Sequence, residues 1–259
     1  MHLAITEIAG RKTVRVEAYC ERKADAERIQ KQFGGSIRAL KRENWAAMAP
    51  APSAPIKVRG SLLITQESDP AAWEKLAAAH PGREIISIPP EMAFGTGDHA
   101  TTASCLRFLC DCAAAAPDGW AMLDLGCGSG ILALAAVKLG AASALGIDYD
   151  PQAVRVAREN AKRNGVPPRR AKFAEADVLA WDAPQPFDLV AANLFSSILE
   201  EAFPRIVAAA KPGAPIVISG ILREQADGVF RAGEKAGFEL EKSVRKGKWV
   251  AARGRRRAR

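Results

Sequence analysis

The fold is decided by the stretch Leu123-Asp124-Leu125-Gly126-Cys127-Gly128-Ser129-Gly130-Ile131-Leu132. An apolar run ends at a loop with glycine at every second position, and apolar residues at helical spacing begin directly after it. Because glycine has no side chain, such a loop lets the backbone approach a ligand closely. The stretch predicts a strand, a ligand-binding loop and a helix, which together open a βαβ unit.

The spacing of the glycines separates two classes of ligand. A dinucleotide fingerprint places its third glycine five residues after the first, and that position is Ile131 here. The third glycine is Gly130, and Asp124 lies two residues before the first. This pattern resembles the nucleotide loop of the large class of AdoMet-dependent methyltransferases. An NAD-dependent oxidoreductase, the competing class, is disfavoured by the displaced glycine.

Acidic residues follow the next two predicted strands. Residues 144–148 are typical of a short buried strand and end at Asp148, 22 residues after Gly126. A carboxylate at this tip can accept hydrogen bonds from both hydroxyls of a ribose, a feature that NAD enzymes share. Residues 170–176 predict a third strand, which Asp177 follows. This aspartate can accept from an adenine amino group or serve as an ordinary loop residue.

Strands and helices alternate through residues 121–237, which predicts a parallel sheet covered by helices. Residues 238–244 and 248–252 flank Gly247 and predict a closing antiparallel hairpin. We therefore expect an α/β fold with a seven-stranded, Rossmann-like sheet. The remaining predicted elements are helices 129–139, 151–164, 196–210 and 222–236 and strands 187–194 and 215–219.

The N-terminal part predicts a smaller α+β domain. Strands over 3–8 and 12–20, a helix over 21–33 and a strand over 36–45 give a ferredoxin-like order. A proline-rich stretch follows, and beyond it we predict a strand over 61–65, a helix over 70–79 and a strand over 84–88. The predicted organisation is an N-terminal domain over 1–48, a linker over 49–60, the larger domain over 61–253 and a basic tail over 254–259.

Composition is ordinary for a globular protein of 259 residues, with 48% hydrophobic and 25% charged residues. No apolar run reaches about 18 residues, and the N-terminus has no secretory pattern, so we expect a cytoplasmic protein without a membrane span. The five cysteines show neither disulfide-framework nor zinc spacing, and we expect no metal site.

The net charge of +8 is unevenly distributed, since residues 241–259 carry nine basic side chains and one acidic one. The run from Arg253 to Arg259 is typical of a solvated tail. A weak, salt-sensitive contact with RNA is the alternative interpretation of this tail.

A second segment narrows the family: Pro90-Glu91-Met92-Ala93-Phe94-Gly95-Thr96-Gly97-Asp98-His99-Ala100-Thr101-Thr102. Together with the glycine loop, Ala192-Asn193-Leu194 and Ser219-Gly220-Ile221-Leu222, it resembles the ribosomal protein methyltransferase family that modifies protein eleven of the large subunit. The resemblance covers residues 88 to about 253, whereas the N-terminal part matches only in its expected architecture.

The resemblance implies transfer of a methyl group from S-adenosyl-L-methionine (AdoMet) to lysine or N-terminal amines of that ribosomal protein, taken as the free protein, with residues 1–48 recognising the substrate. It implies that Asn193 orients the acceptor amine or the methionine part of the cofactor, and His99 is a second catalytic candidate. The predicted cofactor-binding set is Phe94, Gly95, Thr96, Gly97, Thr102, Asp124, Gly126, Gly128, Gly130, Asp148, Asp177 and Asn193.

Two other functions are compatible with the same predicted fold. One is an AdoMet-dependent enzyme acting on another protein lysine or a small amine. The other is an RNA methyltransferase, suggested by the pI of 9.4, although aromatic residues make up only 6% of the chain. Asn193-Leu194-Phe195 departs from the Asn-Pro-Pro-Tyr motif, which argues against an enzyme acting on DNA bases or glutamine.

Overall fold

The computed structural model describes residues 2–7, 14–20, 23–37, 54–67, 69–89 and 97–258. The chain divides into two compact units, Met1–Pro50 and Ala51–Arg259. The division lies close to the end of the predicted N-terminal domain at residue 48.

The first unit contains the hairpin and the helix that the sequence predicts. Strands β1 (His2–Glu7) and β2 (Val14–Tyr19) pair antiparallel, and helix α1 (Lys23–Phe33) follows. The predicted strand over 36–45 lies almost wholly outside the described residues. The fourth element of the ferredoxin-like order therefore stays a prediction.

A three-stranded sheet opens the second unit. It consists of β3 (Ile56–Val58), β4 (Leu62–Thr65) and β5 (Glu84–Ser87), with β4 antiparallel to β3 and parallel to β5. Helix α2 (Pro70–Ala79) connects β4 to β5 and begins where the carboxylate of Asp69 accepts from the Ala71 N–H. The predicted linker over 49–60 is therefore too long, since β3 occupies part of it. The strand was missed because three residues are too few to show the alternating pattern of a strand.

The larger sheet has seven strands in the order β11-β12-β10-β9-β6-β7-β8, and β12 runs antiparallel to both neighbours. This confirms the predicted fold class. Its elements are α3 (Ala100–Ala113), β6 (Ala121–Leu125), α4 (Ile131–Lys138), β7 (Ser143–Asp148), α5 (Pro151–Arg163), β8 (Ala171–Glu175), β9 (Leu189–Asn193), α6 (Ser196–Ala209), β10 (Pro215–Leu222), α7 (Ala226–Ala236), β11 (Phe238–Lys246) and β12 (Trp249–Arg256).

Two apolar layers cover the faces of this sheet. Helices α3, α4 and α5 pack on one face and α6 and α7 on the other. Side chains alternate between the faces along each strand, so Met122 packs toward α3 and α4 while its neighbour Leu123 packs toward α6. The described part of the chain contains no helix long and apolar enough to cross a membrane.

The predicted basic tail over 254–259 is wrong, because β12 extends through Arg256. Within this strand Arg253 and Arg255 both bond to Glu241 of β11, and Arg256 donates to the Ala210 carbonyl at 2.6 Å. Arg257, just beyond the strand, pairs with Glu239. Most of the arginine run therefore belongs to the sheet or borders it, and its arginines have partners in two acidic residues of β11 and a carbonyl at the end of α6.

Gly220 lies at a bulge in β10 and adopts a φ of +86°. A Cβ atom at this position would approach the Leu194 carbonyl oxygen to 2.2 Å. Gly213 has a similar φ of +76° but faces open space. Substitution of alanine at Gly213 would therefore introduce backbone strain alone, whereas substitution at Gly220 would introduce strain together with steric overlap.

We expect Gly213→Ala to lower the free energy of unfolding by about 1–2 kcal/mol, the cost of a left-handed alanine. We expect Gly220→Ala to lower it by about 2–3 kcal/mol more, since backbone must move to admit the methyl group. Equilibrium unfolding in urea measures both. Equal losses in the two variants would contradict the steric argument.

Candidate functional site

The glycine loop crosses the end of β7. The N–H groups of Gly126 and Cys127 both donate to the Ile147 carbonyl at 2.9 Å. Gly126, Gly128 and Gly130 have φ values of 68°, 51° and 79°, which L side chains rarely adopt. The alternating glycines thus let the chain turn sharply from β6 into α4 at the carboxyl edge of the sheet.

Asp148 fastens this loop from the tip of β7. The side chain is 9% exposed, and its Oδ2 accepts from the Gly128 N–H at 2.9 Å. Its Oδ1 accepts from the Asp150 N–H at 3.1 Å. The carboxylate therefore lies between the glycine loop and the start of α5, at the strand tip where the sequence predicts a ribose contact.

Asp124 is buried beneath the loop with only one of its oxygens partnered. Oδ2 accepts from the Ala133 N–H at 3.2 Å, whereas Oδ1 has no hydrogen-bond partner among the described residues. Burial raises the pKa of this carboxyl to about 7, the Ala133 N–H opposes the rise, and the nearby Asp148 adds to it. A buried oxygen without a donor suits a ligand group that carries positive charge or N–H donors.

The first turn of α3 meets the ends of β9 and β10. The Asn193 Nδ2 donates to the Thr102 Oγ1 at 3.5 Å, and the Ser219 Oγ donates to the Thr101 carbonyl at 3.4 Å. Asn193 and Ser219 are paired residues of the parallel strands. The structure therefore brings together Thr102 and Asn193, two predicted site residues that lie 91 positions apart in the chain.

His99 is the N-cap residue of α3. Its Nδ1 lies 2.8 Å from the Thr101 Oγ1 and 3.4 Å from the Thr101 N–H, and its ring packs edge-on against Trp249 with the centroids 5.4 Å apart. These contacts give the histidine a structural role. Its part in acceptor chemistry stays a prediction.

The glycine-rich segment before α3 is described only from Gly97 onward. Gly97 is buried with a φ of +91°, and a Cβ there would lie 2.9 Å from the Ile64 Cγ2. Phe94, Gly95 and Thr96 lie outside the described residues. Their predicted contact with a cofactor therefore stays a prediction.

Asp177 lies beside Asp148 on the sheet edge but is exposed. Its Oδ1 accepts from the Leu179 N–H at 2.9 Å, which is the ordinary turn geometry of an aspartate. The preceding residue, Ala176, donates its N–H to the Asp148 carbonyl at 2.9 Å. Its predicted contact with adenine stays a prediction.

Two buried asparagines at the end of α5, one bonded to the glycine loop and one to β5, were not predicted from the sequence. Asn160 donates to the Ser129 carbonyl at 3.0 Å, and Asn164 exchanges hydrogen bonds of 2.8 Å with the N–H and carbonyl of Ser87. Asn160 lies on the apolar face of α5 with Ala157. A polar residue on an apolar helix face was the signal available in the sequence.

Two aromatic side chains at the same edge were also missed. Tyr149 follows Asp148 and is 78% exposed, while Phe195 lies two residues after Asn193 and is 73% exposed. Both follow predicted strand ends, which was the only signal in the sequence. Both rings are therefore open to solvent at strand ends that border the site.

The strand order, the antiparallel β12 and the glycine loop between two acids define the class I fold of AdoMet-dependent methyltransferases. The model of one protein family, described as ribosomal protein L11 methyltransferase (PrmA), matches residues 4–257. The chain belongs to this family, which confirms the resemblance found in the sequence.

Relatives and solved structures agree with this membership. Proteins named ribosomal protein L11 methyltransferase from Azotobacter vinelandii and Methylobacillus flagellatus are 44% and 40% identical over 187 and 226 residues, covering 72% and 87% of this chain. The matched regions cover 61% and 70% of those relatives, so the chain spans about three fifths of the length of the first.

A crystal structure of the L11 methylase of Lactobacillus delbrueckii subsp. bulgaricus matches 79% of this chain and 100% of its own, with a TM-score of 0.68 and 29% identity. The N-methyltransferase NodS of Bradyrhizobium japonicum, solved with S-adenosyl-L-homocysteine, matches 61% of this chain and 89% of its own at a TM-score of 0.50 and 17% identity. The second match shows the fold alone.

Asp124 makes the stability of the fold depend on pH. Because its pKa rises from 3.8 to about 7 on folding, the folded protein retains a proton that the unfolded chain releases between about pH 4 and pH 7. Its contribution to stability is therefore fully present below about pH 4 and is lost as the pH rises to about 7.

We expect Asp124→Asn to gain stability relative to the parent protein across this window, by a few kcal/mol in total, since one pKa unit corresponds to about 1.4 kcal/mol. Unfolding in urea at several pH values from 4.5 to 8 measures the difference. Asp118→Asn, which removes an exposed carboxyl, controls for the loss of one charge. A difference between Asp124→Asn and the parent that does not change with pH would contradict the argument.

Proposed function

We propose that this protein transfers a methyl group from AdoMet to lysine and N-terminal amines of ribosomal protein L11. The observation that carries the proposal is the grouping of Asp124, Asp148 and Asn193 around one glycine loop at the carboxyl edge of the sheet. Family membership supports the choice of substrate.

The residues at this edge fit AdoMet. The Asp148 carboxylate, at the tip of β7, is positioned for the ribose hydroxyls, and the unpartnered oxygen of Asp124 suits the methionine ammonium group. Thr102 and Asn193 border the same edge and can orient the methionine part. When bound, AdoMet would supply a methyl group activated by its sulfonium charge.

The acceptor must be a neutral amine. Near pH 7.4 a lysine with a pKa of about 10.4 is roughly 0.1% neutral, while an α-amine with a pKa of about 7.7–8.0 is roughly one quarter neutral. Among the described residues none donates a hydrogen bond to the Asn193 Oδ1. That oxygen can accept an N–H of the amine and direct its lone pair, so we assign Asn193 an orienting role and name no general base.

Substrate recognition is proposed for the first unit, residues 1–48 of the predicted domain. Its helix α1 ends at Phe33, whose side chain is 75% exposed, and Ile37 beyond it is 40% exposed. Exposed apolar side chains favour contact with a protein partner. We propose free L11 as the acceptor and, because that protein is ribosomal, the cytoplasm as the place of action.

We expect Asp148→Asn to weaken AdoMet binding by about 10–100-fold, because it removes a charged acceptor for the ribose and weakens the hold on the Gly128 N–H. Isothermal titration calorimetry measures the affinity. Glu175→Gln is the matched control, since Glu175 pairs with Asp148 in the strand register and is exposed. Equal losses in both variants would show a general charge effect and contradict the assignment.

Transfer of tritium from labelled AdoMet tests the reaction itself. Ribosomal proteins from a strain lacking this gene serve as acceptors, both free and as assembled large subunits, and Asp148→Asn at subsaturating AdoMet is the control for weakened cofactor binding. We expect one labelled protein, L11, with stronger label in the free form. Label in another protein would replace the substrate and keep the chemistry. Absence of label despite AdoMet binding would overturn the protein substrate and favour a small amine.

A further inference from the structure

A cationic cleft lies between α3 and β11, away from the glycine loop. It has a volume of about 300 Å³. Five basic side chains line what we call the α3–β11 cleft: Arg59, Arg107, Lys242, Arg245 and Lys246. Arg59 comes from the turn between β3 and β4, Arg107 from α3 and the other three from β11, so three separate elements bring the charges together.

Four of these five charges have no counter-ion among the residues that the structure describes. Arg59 pairs with Asp111 at 2.8 Å. Arg107, Lys242, Arg245 and Lys246 form no side-chain ion pair or hydrogen bond with any residue that the structure describes. A cavity of this volume is about 8 Å across, which is comparable to the Debye length at physiological salt, so salt weakens the repulsion between these like charges but does not abolish it.

The acidic residues of β11 do not relieve this repulsion. Glu241, next to Lys242, bonds to Arg253 and Arg255, and Glu239 pairs with Arg257. Both acids are thus paired with arginines near the C-terminus, and no ion pair joins either of them to a basic side chain of the cleft. Unpaired like charges gathered in a concave site favour an external anion.

One further basic side chain lies just beyond the end of β11. Beyond Lys246 and the turn at Gly247, the Lys248 Nζ lies 5.2 Å from the centre of the Trp249 ring. The Trp249 ring packs against His99 at the start of α3. The next two residues but one, Thr101 and Thr102, form the hydrogen bonds with Ser219 and Asn193. Through the Trp249 ring, Lys248 therefore places one more basic side chain near the start of α3.

We propose that the α3–β11 cleft binds the phosphate groups of an RNA strand. A phosphodiester chain carries one negative charge on every residue, so a short piece matches the four charges gathered in one cleft. Arginine and lysine are the usual partners of such phosphates. An acidic peptide would need several consecutive carboxylates to match the same charges.

Binding of a fluorescent 12-nucleotide single-stranded RNA, followed by anisotropy at several salt concentrations, tests the proposal. The cleft variant is the triple change Lys242→Gln, Arg245→Gln and Lys246→Gln on the exposed edge strand β11. The control is Lys162→Gln, Arg169→Gln and Lys172→Gln, three exposed positions on the opposite side of the sheet order that remove the same charge. Both triple variants leave the protein with the same net charge.

We expect the cleft variant to bind RNA about 100-fold more weakly at 0.1 M salt and to lose about two units of the slope of log affinity against log salt. The control should stay within about threefold of the parent. Arg107→Gln, on the opposite wall, should weaken binding about fivefold. Tripolyphosphate should compete with RNA in the parent protein.

Three results would overturn the proposal. Equal losses in the cleft variant and its control would show a general effect of net charge. Binding of tripolyphosphate without binding of RNA would make the cleft a site for a small anion. Binding of a poly-glutamate peptide without RNA would assign it to an acidic protein surface.

Discussion

The hydrogen bonds that hold the glycine loop against the end of β7 are the constraint on which the rest of the site depends. One carbonyl, that of Ile147, receives two N–H groups of the loop, and the carboxylate of the next residue receives a third. A Cβ on Gly130 would lie 3.0 Å from Ala157 and Phe173. Loop, α5 and β8 are therefore packed at the separation that only glycine permits, and the carboxylates beneath cannot move independently of the fold.

The alternation of side chains along parallel strands then decides which polar groups meet. Asp124, Asn193 and Ser219 each lie on the face of the sheet that α3 and α4 cover, and each hydrogen-bonds with the first residues of those helices. Their apolar neighbours along the strands fill the opposite layer under α6. A shift of one residue in any of these strands would exchange the two sets. The register of the strands therefore determines that polar side chains meet at this edge of the sheet.

The elements with strong local signals were predicted from the sequence, and those that depend on distant pairing were not. Helix 70–79 was predicted with its observed bounds, because Asp69 and Pro70 are a capping residue and a first-turn proline. Strand β10 extends three residues beyond its predicted end, because after the bulge Ile221 and Leu222 pair with Val250 and Trp249. Helix α7 accordingly begins later than predicted. Nothing in the sequence next to Ile221 and Leu222 indicates that they pair with a distant strand.

The same distinction applies to the site. The loop glycines and Asp148 follow from spacing within one βαβ unit, which is local. The meeting of Thr102 with Asn193 and the support from Asn160 required the tertiary structure. Their residue types were visible in the chain, but only the resemblance selected Thr102 and Asn193, and nothing selected Asn160. Spacing along the chain therefore predicts where the loop lies in the fold, whereas the residues to which we assign an orienting role come from separate elements.

The charges near the C-terminus show most clearly why a count of basic residues in the sequence does not predict where the protein surface is positive. The run from Arg253 to Arg257 is the most basic stretch near the C-terminus, yet all four of its arginines have partners in Glu241, Glu239 and the Ala210 carbonyl. Lys242 and Lys246 are interspersed with acids in the sequence but have no acidic partner among the described residues, because Glu239 and Glu241 pair with those arginines. Cross-strand pairing therefore engages the acids of β11 and leaves the basic side chains of the cleft beside α3 available for the polyanion that we propose. Which residues pair across the strands, and not the number of basic residues along the chain, thus determines where a polyanion finds unpaired positive charge.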